Sequence, residues 1–186
     1  LLDRVIVVSD GSTDATAEIA RRCGATVIEL PQNCGKGAAI KAGLEHAASA
    51  DVALLIDADL VGLSCHHIRA LLQPVLDGSA DMTMGVFGKG RLATDLALKL
   101  APYLSGQRAL SRQALEKLGA LQETGYGVEL ALTRRVKLAG LRIEEVVLRN
   151  LTHRMKEEKL GLWRGLRARM RMYWEIALSL GRPGRG

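Results

Sequence analysis

The sequence predicts an α/β fold built on a doubly wound, mostly parallel sheet. Three observations predict it. The apolar runs Val5–Val8 and Val52–Ile56 are continuous rather than alternating, as in strands covered on both faces. Segments with apolar residues at helical spacing separate the strand runs. Polar turns rich in Asp, Gly and Ser follow the strands, where open α/β sheets bind ligands.

Each element has its own reason. The first strand, Val5–Val8, runs into Ser9-Asp10-Gly11-Ser12-Thr13-Asp14. Ser12 or Thr13 is a natural helix N-cap, and Asp14 suits the positive first turn. Ile19, Ala20 and Cys23 then repeat at helical spacing, which predicts a buried Cys23, and Gly24 ends the helix. Thr26–Leu30 is a second strand, closed by Pro31. The loop 32–37 opens a helix with Ile40, Gly43, Leu44 and Ala47 on one face. Val52–Ile56 is the third strand, ending in Asp57-Ala58-Asp59. A helix starts near Ser64 and carries Ile68, Leu71, Leu72, Val75 and Leu76, with Pro74 expected to kink or shorten it. His66 and His67 read as solvated or capping. Asp81–Val86 is a fourth strand. Farther on, Arg91–Leu104, Ser111–Leu118 and Gly125–Ala139 read as helices, Arg142–Leu148 as a strand, and Leu160–Leu180 as a basic amphipathic helix. Residues 1–151 are expected to form one domain and 152–186 a helical tail.

The chain has 186 residues, 48% of them apolar and 25% charged, so a packed core is within reach and disorder is excluded as the main story. No apolar run is long enough to span a bilayer. Three cysteines at no metal-like spacing argue against a disulfide framework and for a reducing, cytoplasmic setting. The net charge of +6 is local: Thr152–Gly186 carries nine basic and three acidic residues, whereas the first 151 carry seventeen of each. A neutral domain with 3% aromatic residues is a poor nucleic-acid binder.

Three strand-end loops carry the chemistry. Asp10-Gly11-Ser12 offers a carboxylate and a helix N-terminus, Gly35-Lys36-Gly37 a flexible backbone and one cation, and Asp57-Ala58-Asp59 two carboxylates. Together they could hold a nucleotide diphosphate, with a divalent cation between carboxylate and phosphate oxygens and Lys36 offsetting further charge. Each loop alone is a weak signal. Asp-x-Asp after a strand also occurs in phosphatases, Gly-Lys-Gly lacks Walker spacing, and Asp10 could serve only as a turn residue.

The order and spacing are more specific. Val8-Ser9-Asp10-Gly11-Ser12-Thr13-Asp14, then Asn33-Cys34-Gly35-Lys36-Gly37-Ala38-Ala39-Ile40, then Leu55-Ile56-Asp57-Ala58-Asp59-Leu60 resemble a family 2 glycosyltransferase of the GT-A fold. The resemblance covers roughly residues 5 to 161. It implies transfer of a sugar from a nucleotide diphosphate donor, with uridine favoured. By the same resemblance Asp10, with Gly11 and Ser12, holds the nucleoside. Lys36 and Gly37 lie near the nucleotide, as do Asp57 and Ala58. Asp59 binds Mn²⁺ or Mg²⁺, with Asp57 reaching ribose or metal. Ser105–Arg112 resembles an acceptor-side segment, which puts Gly106 and Arg108 there. Gly125-Tyr126-Gly127-Val128-Glu129 and Leu151-Thr152-His153-Arg154 are similar to a narrower group, the glucosyl-3-phosphoglycerate synthases. That likeness puts Tyr126 and Glu129 at the acceptor and His153 in the metal site. Glu129 and Asp57 are the catalytic candidates, with Glu123 competing as a functional carboxylate. Taken alone, His153 in a basic stretch reads sooner as a surface histidine than as a ligand. Asp59 with His153 is a sensible donor pair for either cation.

The resemblance also sets expectations of absence and addition. The family opens with a strand, turn and helix that precede the first strand here, so a truncated N-terminus and a free edge beside Val5–Val8 are expected. Ser9 stands where many members carry aspartate. The tail places Leu162, Trp163, Leu166, Met170, Tyr173, Trp174 and Ala177 along one side. It reads as a helix packed on the domain, as an interfacial helix for anionic lipid at the inner membrane face, or as a homodimer contact. The acceptor stays open, a phosphorylated small molecule and a polyprenyl phosphate both fitting. A sugar-nucleotide nucleotidyltransferase and a non-catalytic domain that binds a partner or membrane through its tail are the rival functions.

Overall fold

The computed structural model describes residues 2–87, 105–118 and 127–153. In chain order they form β1 (Ile6–Asp10), α1 (Thr16–Arg22), β2 (Thr26–Leu30), α2 (Lys36–His46), β3 (Val52–Leu55), β4 (Leu60–Val61) and α3 (Cys65–Leu76). Then come β5 (Met82–Phe87), β6 (Arg108–Ser111), α4 (Arg112–Leu118), α5 (Val128–Leu138), β7 (Ile143–Leu148) and β8 (Thr152–His153). The expected helices at Arg91–Leu104 and Leu160–Leu180 lie outside the described residues.

The strands form three groups. β1 and β2 pair in parallel, Ile6 opposite Thr26 and Asp10 opposite Leu30. A four-stranded sheet runs β3-β6-β5-β7. β5 and β7 are parallel, and β6 is antiparallel to both its neighbours. The short β4 and β8 pair antiparallel, Leu60 opposite His153. The α/β layering matches expectation, while the pairing is mixed. The strand responsible, β6, has no sequence signature: four residues with polar ends show neither alternation nor a β-branched run. Burial makes it a strand, since Arg108, Ala109 and Leu110 are all completely enclosed. Among the described strands β1 has β2 as its only partner.

The main core lies on one face of the four-stranded sheet. Met82 and Met84 of β5 and Leu110 of β6 pack with Ala114 and Leu118 of α4 and with Val128, Leu132 and Val136 of α5. Ile40 and Leu44 of α2 close onto this cluster, the face the helical spacing marked. On the other side α3 buries Leu71, Leu72 and Val75. Pro74 neither ends nor shortens α3, which continues to Leu76. It sits in the last turn, where a single helical bond is lost. Its carbonyl accepts Ala80 N at 2.9 Å and Ser79 Oγ at 3.1 Å, turning the chain into β5.

Two local expectations are corrected. α1 starts at Thr16 rather than after Ser12 or Thr13. Asp14 makes that start, accepting Thr16 N at 3.0 Å and the Thr16 hydroxyl. Cys23 is exposed, not core. Its helix covers only the outer β1–β2 pair, which needs little more than Ala17, and Ile19 on the expected face stays 51% exposed.

Candidate active site

The site grows from the carboxyl ends of β1 and β3. β1 delivers Asp10, whose carboxylate accepts Cys34 N at 2.7 Å and Gly35 N at 2.8 Å. Gly11 lies against the main chain of Gln32 and Asn33, so the glycine loop rests on the end of β1. Asp10 thus holds the loop, and Ser12 stays exposed beside it. The loop turns directly into α2. Lys36 is its first residue, and Gly37 is buried in the first turn.

Lys36 reaches from α2 across to β3 and α5. Its Nζ lies 2.7 Å from Asp57 Oδ1 and 2.6 Å from Glu129 Oε1. Burial alone would push the ammonium down, but Glu129 and Asp57 outweigh it, and its pKa rises above the ordinary lysine value. Three segments far apart in sequence therefore meet at one cation.

The second oxygen of Asp57 is held by Gln107, whose Nε2 donates at 2.9 Å. Gln107 is fully buried and oriented by Ser105, whose Oγ donates to its Oε1 at 3.0 Å. Gly106 passes so close that an added Cβ would lie 2.4 Å from Asp57 Oδ2. Sequence reasoning missed Ser105 and Gln107. The only signal available was an amide placed between glycine and arginine ahead of an apolar pair.

Arg108 differs most from its expected place. It is completely enclosed, with Nε donating to Ser105 O at 2.8 Å and Nη1 to Thr133 Oγ1 at 2.6 Å. It does not present its guanidinium on an open acceptor face. Burial pushes its pKa down to about 10, against the opposing pull of Glu129 and Asp57. Two cations and two carboxylates thus lie together, Arg108 and Glu129 enclosed and Lys36 and Asp57 partly exposed, and this pairing makes the buried charge tolerable. Arg108 also joins the 105–107 segment to α5, the helix that carries Glu129.

Glu129 lies in the first turn of α5 and is 3% exposed. Its Oε1 is taken by Lys36, while Oε2 is buried with no partner among the described residues. A buried carboxylate oxygen without a donor is costly unless a ligand hydroxyl or water completes it.

Asp59 is half-buried on the turn after β3, next to the exposed Ala58. The β4–β8 register brings the His153 main chain opposite Leu60, one residue from Asp59. Among the described residues no three His, Cys, Asp or Glu side chains converge as a cation site. Asp57 already spends both oxygens on Lys36 and Gln107. Asp59 on the turn and His153 on β8 supply a carboxylate and an imidazole, donor types that suit Mn²⁺ or Mg²⁺. Tyr126, Glu123 and the 160–180 segment lie outside the described residues. Among the described residues no helix is long and apolar enough to cross a membrane.

Residues 1–138 match the family model described as glycosyl transferase family 2. The chain belongs to that family. A glucosyl-3-phosphoglycerate synthase of Mycobacterium tuberculosis is 34% identical over 167 residues, covering 71% of this chain and 51% of that protein. The chain thus spans about half the length of the curated relatives it matches. A crystal structure of the Mycobacterium tuberculosis synthase with Mn²⁺, UDP-glucose and phosphoglyceric acid superposes with a TM-score of 0.74 at 29% identity, covering 100% of this chain and 71% of that one. The complex of that synthase with Mg²⁺ and UDP gives 0.74 at 28%, with the same coverage. The family fold is GT-A, in agreement with the mixed α/β sheet.

Proposed function

We propose that this chain carries the donor site of a metal-dependent glycosyltransferase that moves a sugar from a uridine diphosphate donor to a phosphorylated acceptor. One observation carries the reading: the Lys36 ammonium is held between Asp57 and Glu129, joining the glycine loop, the Asp-x-Asp turn and α5 in one pocket of opposed charge. The ligands named for the mycobacterial synthase, a divalent cation, UDP-glucose and phosphoglyceric acid, support this assignment of chemical classes.

Each residue has a role in the proposal. Asp10 holds the loop that carries Lys36 and, with Gly11 and Ser12, borders the nucleoside. Asp57 and Gln107 keep Lys36 aimed at the diphosphate, along the path set by Gly37 and Ala58. Asp59 and His153 would hold the divalent cation, which would supply positive charge beside the leaving diphosphate. Lys36 adds a second positive group there. The free oxygen of Glu129 accepts a hydrogen bond from the acceptor hydroxyl and orients it, or takes its proton. Gly106 and Arg108 back this side from beneath, and Tyr126 belongs to the same acceptor assignment. The acceptor class is a small phosphorylated hydroxy acid in preference to a polyprenyl phosphate.

The deciding experiment is a calorimetric titration with UDP, with and without Mn²⁺, on the wild type and on Asp59→Ala. Metal-dependent binding that disappears in the variant is expected. Transfer from UDP-glucose to 3-phosphoglycerate, with polyprenyl phosphate as the competing acceptor, then tests the acceptor class. Absence of metal-dependent UDP binding by the wild type would overturn the reading.

A further inference from the structure

The corner between β7 and β8 is tied to the start of α3 by main-chain contacts. Asn150 there adopts a left-handed φ of 60°. Gly62, with φ +89°, passes beneath it, and an added Cβ would lie 2.6 Å from the Asn150 carbonyl oxygen. His67 reaches the same corner from the first turn of α3. It is 8% exposed, which fits the capping and not the solvated reading of its sequence surroundings. Its Nε2 lies 2.9 Å from the Arg149 carbonyl oxygen, and its Nδ1 lies 3.1 Å from Ser64 N. A carbonyl can only accept and a backbone N–H can only donate. Nδ1 is therefore the acceptor, and Nε2 carries the proton that it gives to Arg149. Both ring nitrogens are spent inside the protein, one capping α3 and one gripping the corner.

The corner directs the chain beyond it. Leu151 enters the core beside Leu71 and Leu148, with Leu60 packed against them. Thr152 and His153 then pair with Val61 and Leu60. We propose that His67 is a positioning residue for the cation site: by holding the Arg149 carbonyl it fixes the corner that presents His153 beside Asp59. This rests on the reading of Asp59 and His153 as the donor pair. The physical effect is one of population. If the corner is in place for only a fraction of the time, apparent cation affinity falls by that fraction.

Two substitutions separate the two ring nitrogens. His67→Asn puts an acceptor near the Nδ1 position, keeping the cap and losing the grip on Arg149. His67→Gln reaches the Nε2 position with a donor, keeping the grip and losing the cap. Mn²⁺ affinity is measured in the presence of UDP by electron paramagnetic resonance, beside a thermal melt of each variant. His67→Asn is expected to weaken Mn²⁺ about tenfold, the lower end of effects seen for groups that orient a metal ligand. His67→Gln is expected to stay within about twofold of the wild type by the same argument. Equal affinity in all three proteins overturns the proposal. So does a loss that tracks the melting temperature, with Gln the worse. Gly62→Ala crowds the same corner without touching His67. It is expected to weaken Mn²⁺ likewise, and serves if His67→Asn fails to fold. Asp59→Ala and His153→Ala serve as controls. If they leave Mn²⁺ affinity unchanged, the donor-pair reading fails and this proposal with it. If they weaken it while His67→Asn and Gly62→Ala do not, only the role of His67 is lost.

Discussion

Asp10 and Asp57 look alike in sequence and differ in what they grip. Both end an apolar strand, and both face the loop that precedes α2. Asp10 takes hold of that loop by its main chain, through Cys34 N and Gly35 N. Asp57 takes hold of it by a side chain, through Lys36, and is itself held by Gln107. The first contact decides where the loop lies, and the second where its charge points. The difference comes from the surroundings. Asp10 lies on the outer β1–β2 pair, where only the loop backbone comes within reach. Asp57 lies at the end of the four-stranded sheet, where β6 and α5 bring side chains to it.

Removing the shared cation should do most to break this comparison. Lys36→Met leaves Asp57 and the enclosed Glu129 facing each other, and should cost about 2–3 kcal/mol of stability and most UDP binding. Melts and UDP titrations measure both. The raised Lys36 pKa means its contribution is complete below the ordinary lysine value and is lost only as pH rises through the higher folded value. The deficit should therefore be flat from about pH 6 to about pH 9. Gly106→Ala comes next. Its Cβ meets the Asp57 carboxylate, which must move away from Lys36. A loss of about 1–2 kcal/mol is expected, with UDP affinity falling several-fold in the same titrations.

Asp10→Ala should act mainly on the loop, costing about 1 kcal/mol for two released amides, with a modest UDP defect from the lost nucleoside border. Asp10→Asn, which keeps one acceptor oxygen, should recover part of that in the same melt. A larger UDP defect in Asp10→Ala than in Gly106→Ala would reverse the assigned division of labour. The smallest effect on the site belongs to Asp81, which joins β5 to β7 by accepting Arg142 N at 2.8 Å and Arg142 Nε at 3.0 Å. Hydrogen bonds from the Arg142 side chain hold its pKa below the ordinary carboxylate value. Its contribution is present above that ordinary value and is lost as pH falls through the lower folded one. Asp81→Asn should lower the melting midpoint by about 3 °C at neutral pH, less in acid, and leave UDP binding intact. A UDP defect there would show that binding merely tracks stability.

Much of the site was legible because its residues sit in turns at strand ends, where polar residues have no packing role to explain them. Asp10, Lys36, Asp57 and Asp59 all stood out in this way. Glu129 was legible only through a resemblance, since a glutamate opening a helix is ordinary by itself. Ser105, Gln107 and the inward turn of Arg108 were not legible. Their roles come from β6, a strand that only its neighbours specify. His67 was legible as a cap but not as a tie to the distant corner, for a similar reason. Its partners are Ser64, three residues away, and Arg149, eighty-two residues away.

The sequence by itself determined the α/β class, the core faces of α2 and α3, and the three loops that line up at one end of the sheet. These arise from periodicity and turn chemistry, which act over a few residues. The tertiary structure decided the antiparallel insertion of β6, the meeting of Asp57, Lys36 and Glu129, and the approach of β8 to the Asp-x-Asp turn. Each joins segments tens of residues apart. Long-range burial selects which polar groups must satisfy one another, and no local pattern encodes that choice.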